Sequence, residues 1–279
     1  MCDPFSEVVV KNTFICVVAR EDSSSPAHER RRASSAGAAP RNTAPIGSPS
    51  PRRALQEEVQ GAADAVLKAA CSLAGAEMLE TLLSGPDAAE AAEALADAFA
   101  GEAWKVTVHA RGCRILSKLL EVGGASDAVS RLVDEVLEES GPSALIMHKF
   151  GNTVAVAMMQ HGALRHKRRL MAALTCEARR LARHRHACRV VIEALGREEL
   201  DGHAALVDGL TKSGGEVVKL ATHCFGRHVV RKLLSVTGVA PSVLASMRRA
   251  PRRLAKDRYG ATFIADLSVS AEWREEMAL

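Results

Sequence analysis

Beyond residue 55 one phrase returns at a nearly fixed interval, and that periodicity constrains the fold more than any other feature. A small residue is followed by two variable positions, two apolar ones and a further variable one. The phrase runs from Gly75 to Glu80, Gly112 to Ser117, Gly151 to Val156, Ala187 to Ile192, Gly226 to Arg231 and Gly260 to Ala265. Its openings are spaced 37, 39, 36, 39 and 34 residues apart. A period in this range marks a solenoid, in which each unit buries its face against its neighbours.

Each unit has internal grammar. Between Gly162 and Val236 helical spacing predicts helices over 165–176, 177–184 and 187–195, then 200–210, 216–222 and 226–236. Pro142, Pro241 and Pro251 fall at joints, where helices start or stop. Six three-helix units give an all-α chain, an α-solenoid covering 56–279. Composition agrees: aromatic residues are only 3% of the chain, too few for the aromatic-rich strands of a β-sandwich.

Residues 1–55 read differently. From Glu21 to Arg53 the chain is rich in Ser, Pro, Ala and Arg and nearly free of large apolar residues, a composition that predicts disorder. Ser34 lies in a basophilic-kinase pattern, and Ser48 and Ser50 precede prolines, which makes all three candidate modification sites. The apolar stretch at 5–18 reads equally as a short strand or as a docking motif for a protein partner.

Charge is unevenly distributed. Residues 1–55 carry +3, residues 56–144 carry −10 and residues 145–279 carry +11. A polyanion is therefore expected toward the C-terminus. Seven cysteines without a CxxC pair imply neither a disulfide framework nor a zinc ribbon, and a reducing compartment is expected. Lys11 and Asn12 interrupt the N-terminal apolar stretch, so no signal peptide is expected, and no run approaches the ~20 apolar residues of a membrane span.

The phrase resembles the Pumilio (PUF) repeat. The resemblance rests on the pairs Phe150-Gly151, Phe225-Gly226 and Tyr259-Gly260, with His186-Ala187 as a degenerate copy, and on the Val-Val spacing of His186–Ile192 and Phe225–Leu234. It covers roughly residues 60–279 and implies single-stranded RNA binding by a monomer, with no cofactor. In that family, the two side chains at i and i+4 after the aromatic-Gly pair meet a base edge, and the one at i+1 stacks on the base plane. Helix geometry allows this, since i and i+4 share a face and i+1 is offset by about 100°.

Carried over position by position, the resemblance implies edge pairs Ala76/Glu80, Cys113/Ser117, Asn152/Val156, Cys188/Ile192, Arg227/Arg231 and Ala261/Ala265. The stackers would be Glu77, Arg114, Thr153, Arg189, His228 and Thr262. The chain departs from the pattern in two ways. The family usually has Gln or Glu at i+4, whereas Val156, Ile192 and Ala265 neither donate nor accept there. It usually has eight repeats, and six are counted here.

Other chemistry finds little support. His184, His186, Cys188 and Cys176, with the later His223-Cys224, resemble a scattered metal set, but His186 and Phe225 share one repeat position and are expected to pack between units. Glu90, Glu93 and Asp97 read as an exposed helix face, and no catalytic motif appears, so an enzyme is not expected. The expected role is RNA binding in post-transcriptional regulation in the cytoplasm, with the nucleus or nucleolus as the alternative compartment. Two alternatives stay open: a weakly selective nucleolar RNA-processing factor of the same fold, and a helical-repeat protein–protein scaffold.

Overall fold

A fixed offset from each repeat's small residue decides what is buried. In α5 (Gly112–Gly123) the core side chains are Ile115, Leu116, Leu119 and Leu120; in α8 (Gly151–His161) they are Val154, Ala155, Met158 and Met159. In α11 (Ala187–Leu195) they are Val190, Val191, Ala194 and Leu195, and in α14 (Gly226–Leu234) Val229, Val230, Leu233 and Leu234. These lie 3, 4, 7 and 8 residues beyond the small one, which is one stripe of a helix.

The computed structural model describes residues 6–11, 14–19, 61, 63–124 and 126–269. The chain divides into two compact units, Met1–Val66 and Leu67–Leu279. In the first, β1 (Ser6–Lys11) and β2 (Phe14–Ala19) pair antiparallel, with Ser6 opposite Ala19 and Lys11 opposite Phe14. Valine-rich composition favours strands there. Of the two readings of the apolar stretch, strand is the conformation it adopts. Residues 20–60, with Ser34, Ser48 and Ser50, lie outside the described residues.

The second unit is the α-solenoid. Helical residues 63–71 (α1) lead into α2 (Leu73–Leu82). Five three-helix units follow: α3 (Ala88–Phe99), α4 (Ala103–Thr107) and α5; α6 (Asp127–Ser140), α7 (Pro142–Met147) and α8. Next come α9 (Leu164–Cys176), α10 (Ala178–Arg183) and α11; α12 (His203–Thr211), α13 (Gly214–Ala221) and α14. The last is α15 (Ala240–Arg248), α16 (Pro251–Lys256) and α17 (Arg258–Val269). The first unit thus shows two helices among the described residues, where three were expected.

Joints follow backbone chemistry. Pro142 and Pro251 each occupy a first helical turn, where a missing N–H costs nothing. Gly141, between α6 and α7, has φ 72°, a left-handed conformation that side chains rarely adopt. Successive units are tied laterally. The Glu135 carboxylate of α6 accepts from the Gly101 and Ala103 amides at 2.9 and 3.0 Å, closing the start of α4 one unit earlier.

The small residue is needed because the third helix starts against the short middle one. A Cβ at Gly112 would lie 2.4 Å from the Val106 carbonyl oxygen; at Gly151, 2.9 Å from that of Leu145. At Gly226 it would lie 2.7 Å from that of Leu220, and at Gly260 2.5 Å from that of Leu254. The obstructing carbonyl is always six residues back. One unit fits a methyl group there, as Ala187, so the sharper test is a branched side chain. Gly226→Val is expected to cost about 1–3 kcal/mol, as overpacking does. Gly215→Ala, whose Cβ would meet nothing closer than 3.7 Å, is expected to be neutral or stabilising by up to ~1 kcal/mol. Urea unfolding of the two variants checks the contrast.

Candidate nucleic-acid interface

Three residues before each small residue stands a side-chain acceptor that ties down the start of the third helix. His109 Nδ1 accepts from the Arg111 and Gly112 amides at 3.3 and 3.4 Å, and His148 Nδ1 from Phe150 and Gly151 at 3.2 and 3.1 Å. His184 Nδ1 accepts from His186 and Ala187 at 3.3 Å each, and His223 Nδ1 from Phe225 and Gly226 at 3.2 and 3.3 Å. Asp257 does the same for Tyr259 and Gly260 at 2.8 and 3.0 Å, and Ser72 for Gly75 at 3.0 Å. These groups satisfy amides that would otherwise be orphaned at a helix start.

The rings of three capping histidines, His148, His184 and His223, also meet the residue before the small one. Centroids are 6.1 Å apart for His148 and Phe150, and 5.9 Å for His184 with His186 and for His223 with Phe225. This is the physical content of the aromatic-Gly pair. His186 therefore packs within its own unit on its capping partner, rather than only between units. Among the described residues no group of three or more His, Cys, Asp or Glu is placed to hold a metal ion.

So anchored, α2, α5, α8, α11, α14 and α17 pack in succession as an inner row. The first position after each small residue points back into the fold in most units. Cys113, Asn152 and Cys188 are only 3%, 1% and 5% exposed. Asn152 Nδ2 donates to the His148 and Lys149 carbonyls at 2.9 and 2.8 Å, and the two thiols donate to the Ala110 and Arg185 carbonyls at 3.5 Å. Burial pushes both thiols above the ordinary cysteine value, so they stay protonated. Their expected place at a base edge is taken by these local bonds; half-buried Arg227 is the first-position member with a long side chain still at the surface.

The second position is the open one. Arg114, Arg189, His228 and Thr262 are exposed and Thr153 is half-buried. At the fifth position Ser117 is half-buried, its hydroxyl donating to the Cys113 carbonyl at 2.8 Å, while Arg231 is exposed. Between α2, α5 and α8 lies a groove of about 470 Å³ whose lining includes Glu80, Arg114, Ser117, Thr153, Val156 and Gln160.

Neighbours grade these cations. Arg114 is paired with Glu80 of the preceding unit at 3.0 Å, and Arg231 with Asp266 of the following one at 2.6 Å. Arg231 also lies over the Phe263 ring at 5.9 Å, and Arg227 over the Tyr259 ring at 5.5 Å. Arg189 has no ion pair among the described residues. Burial first, then Arg227 and Arg231, hold His228 below the ordinary histidine value, so it offers a neutral ring at physiological pH.

The geometry agrees with known proteins. Residues 105–137, 179–195 and 216–237 match the Pumilio-family RNA binding repeat; these segments span α4 to α6, α10 to α11 and α13 to α14. Among solved structures, a Puf4 double mutant bound to the Cox17 RNA 3′ UTR recognition sequence is 18% identical with a TM-score of 0.54, over 80% of this chain and 89% of that one. PUF-8 in complex with PBE-RNA is 14% identical with a TM-score of 0.63, over 77% of this chain and 64% of that one. The Puf3 RNA binding domain bound to Cox17 site A is 14% identical with a TM-score of 0.61, over 82% and 67%. No curated protein matches the sequence. Three segments of the chain thus match the Pumilio-family repeat, and its solenoid has the same fold as these solved Puf domains.

The caps carry a pH signature. Nδ1 of His223 accepts two amides, so the ring must be neutral, and burial with the nearby Arg183 holds its value below the ordinary one. The folded state then binds fewer protons than the unfolded chain between that lowered value and ~6.5, so stability rises with pH across this window and falls on acidification. His223→Asn, which accepts without titrating, is expected to flatten this change, and His223→Ala to cost about 1 kcal/mol at pH 7.5. Urea unfolding at pH 7.5 and 5.0 tests both; identical slopes in wild type and His223→Asn would refute the cap.

Proposed function

We propose that the inner row binds single-stranded RNA and that the protein acts on bound transcripts after transcription, without catalysis of its own. The observation that carries this is the row of second-position side chains, one per unit, open to solvent on successive packed helices. Splayed bases stack on guanidinium and imidazole planes, which Arg114, Arg189 and His228 supply in three of the units. The structurally similar Puf4, PUF-8 and Puf3 domains are each solved with RNA.

Base selection in this reading is loose. Buried Cys113, Asn152 and Cys188 present no free donor, and Val156 and Ile192 have no polar atom to offer beside them. Affinity then rests on stacking and on phosphate contacts toward the basic C-terminal units. The compartment proposed is the cytoplasm, where mature transcripts reside; a nucleolar processing role uses the same surface.

Arg189 is the first residue to test, being exposed and without an ion pair among the described residues. Arg189→Ala and His228→Ala are each expected to weaken RNA binding by ~1–3 kcal/mol and to shift stability by no more than about 0.5 kcal/mol. Glu80→Ala, which releases Arg114, is expected to leave affinity equal or improved. Fluorescence anisotropy with a labelled single-stranded RNA, alongside thermal melts, reads all three. Reduced stability with unchanged affinity would show that Arg189 and His228 are structural and the row is not the binding surface.

A further inference from the structure

On the outer and middle helices of the solenoid, arginines meet acids from a neighbouring unit. Arg131 pairs with Asp97 at 3.2 Å, Arg165 with Asp134 at 2.8 Å, Arg168 with Asp201 at 2.7 Å and Arg183 with Glu216 at 3.9 Å. The last unit breaks this rule. From the end of α15 through α16 to the start of α17 the chain places Arg248, Arg249, Arg252, Arg253, Lys256 and Arg258, all exposed. Among the described residues none of the six pairs with a carboxylate. The single acid between them, Asp257, is occupied in holding the Tyr259 and Gly260 amides.

A second copy of the same helix shows what neutralisation looks like. The sequence of α10, Ala-Arg-Arg-Leu-Ala-Arg, aligns with that of α16, Pro-Arg-Arg-Leu-Ala-Lys, and the central leucines, Leu181 and Leu254, are both buried. In α10 every cation is engaged: Arg179 with the Gly209 carbonyl at 3.2 Å, Arg180 with Glu177, and Arg183 with Glu216 and the Arg179 carbonyl. The matching Arg252, Arg253 and Lys256 of α16 have no such partner among the described residues.

The patch also adjoins the inner row. One ring, Tyr259, has the Arg258 guanidinium 4.6 Å from its centroid on the patch side and that of Arg227, from α14, at 5.5 Å. Arg258 also donates to the Tyr259 hydroxyl at 2.8 Å. Cations therefore run from the groove across one aromatic ring onto α16, and the one acid among them, Asp257, is bonded to the Tyr259 and Gly260 amides.

We propose that this patch is a second RNA contact, holding the phosphates of the strand where it runs past the last unit of the inner row, without reading its bases. The inference rests on the groove reading above. An ion-paired face would present no net attraction, whereas clustered free cations release counterions from a phosphodiester chain. An anionic membrane is the less suited occupant, because surface anchoring also needs apolar insertion. The large apolar side chains exposed among the described residues, Leu73 and Leu164, lie on other units.

The test compares a single-stranded RNA just long enough for the inner row with the same RNA extended by ten uridines at either end, in a salt titration. One extension is expected to raise affinity and steepen the salt dependence. Arg252→Glu, Arg253→Glu and Lys256→Glu combined are expected to remove that gain, weakening the extended RNA roughly tenfold and lowering the log–log slope by about 2 for three lost contacts. The short RNA and the melting temperature should be unchanged. No gain from either extension, or a gain that survives the triple variant, overturns the proposal. So does loss of binding to phosphatidylserine vesicles in the variant with the extended-RNA gain intact, which would assign the patch to a lipid surface. If the short RNA fails to bind while the extended one binds through the patch, the groove reading falls and the patch stands; if neither binds, both fall.

Discussion

The units that open on glycine depend on one close approach: the backbone at the start of the inner helix touches the carbonyl oxygen six residues back. At Gly75, Gly112, Gly226 and Gly260 a Cβ would come within 2.4–2.7 Å of that oxygen. The contact sets how tightly the short middle helix folds against the inner one, and so the angle at which each inner helix leaves its joint. The acceptor three residues earlier, histidine in four units, completes the joint by taking two amides. With the start of the helix fixed, the apolar stripe at offsets 3, 4, 7 and 8 faces the core, and the second position is left facing solvent.

This joint also explains which side chains are available for recognition. The first position follows the glycine immediately and is drawn over the preceding turn, so short polar groups there find backbone carbonyls before they find a ligand. Asn152 spends both amide hydrogens in this way. The second position is rotated by about 100° and escapes. Arg114 and Arg189 each follow a cysteine at the same repeat position but differ in circumstance: Glu80 of the preceding unit pairs with the first, and among the described residues no acid pairs with the second.

Periodicity made the solenoid legible, because a repeated apolar offset has one structural meaning. Helix limits expected between Gly162 and Val236 differ from the observed ones by a few residues at most, as in α12, which starts at His203 rather than Leu200. The caps were legible in principle: Ser72, His109, His148, His184, His223 and Asp257 stand at one offset, but their differing side-chain types hid a shared role as acceptors. Burial of Cys113, Asn152 and Cys188 was not legible, since it depends on the depth to which the glycine lets the helix sink. Ion pairs between units were hidden by separations of 31 to 35 residues, visible only once the units are stacked.

The account stands or falls on whether RNA lies along the inner row. Ultraviolet crosslinking of the protein to a uridine-rich single strand, followed by mass spectrometry of the nucleotide-bearing peptides, locates the contact directly. Adducts are predicted on peptides from α11 and α14, which carry Arg189 and His228. Adducts confined to the outer helices α3, α6, α9 and α12, with none on α11 or α14, would contradict the assignment.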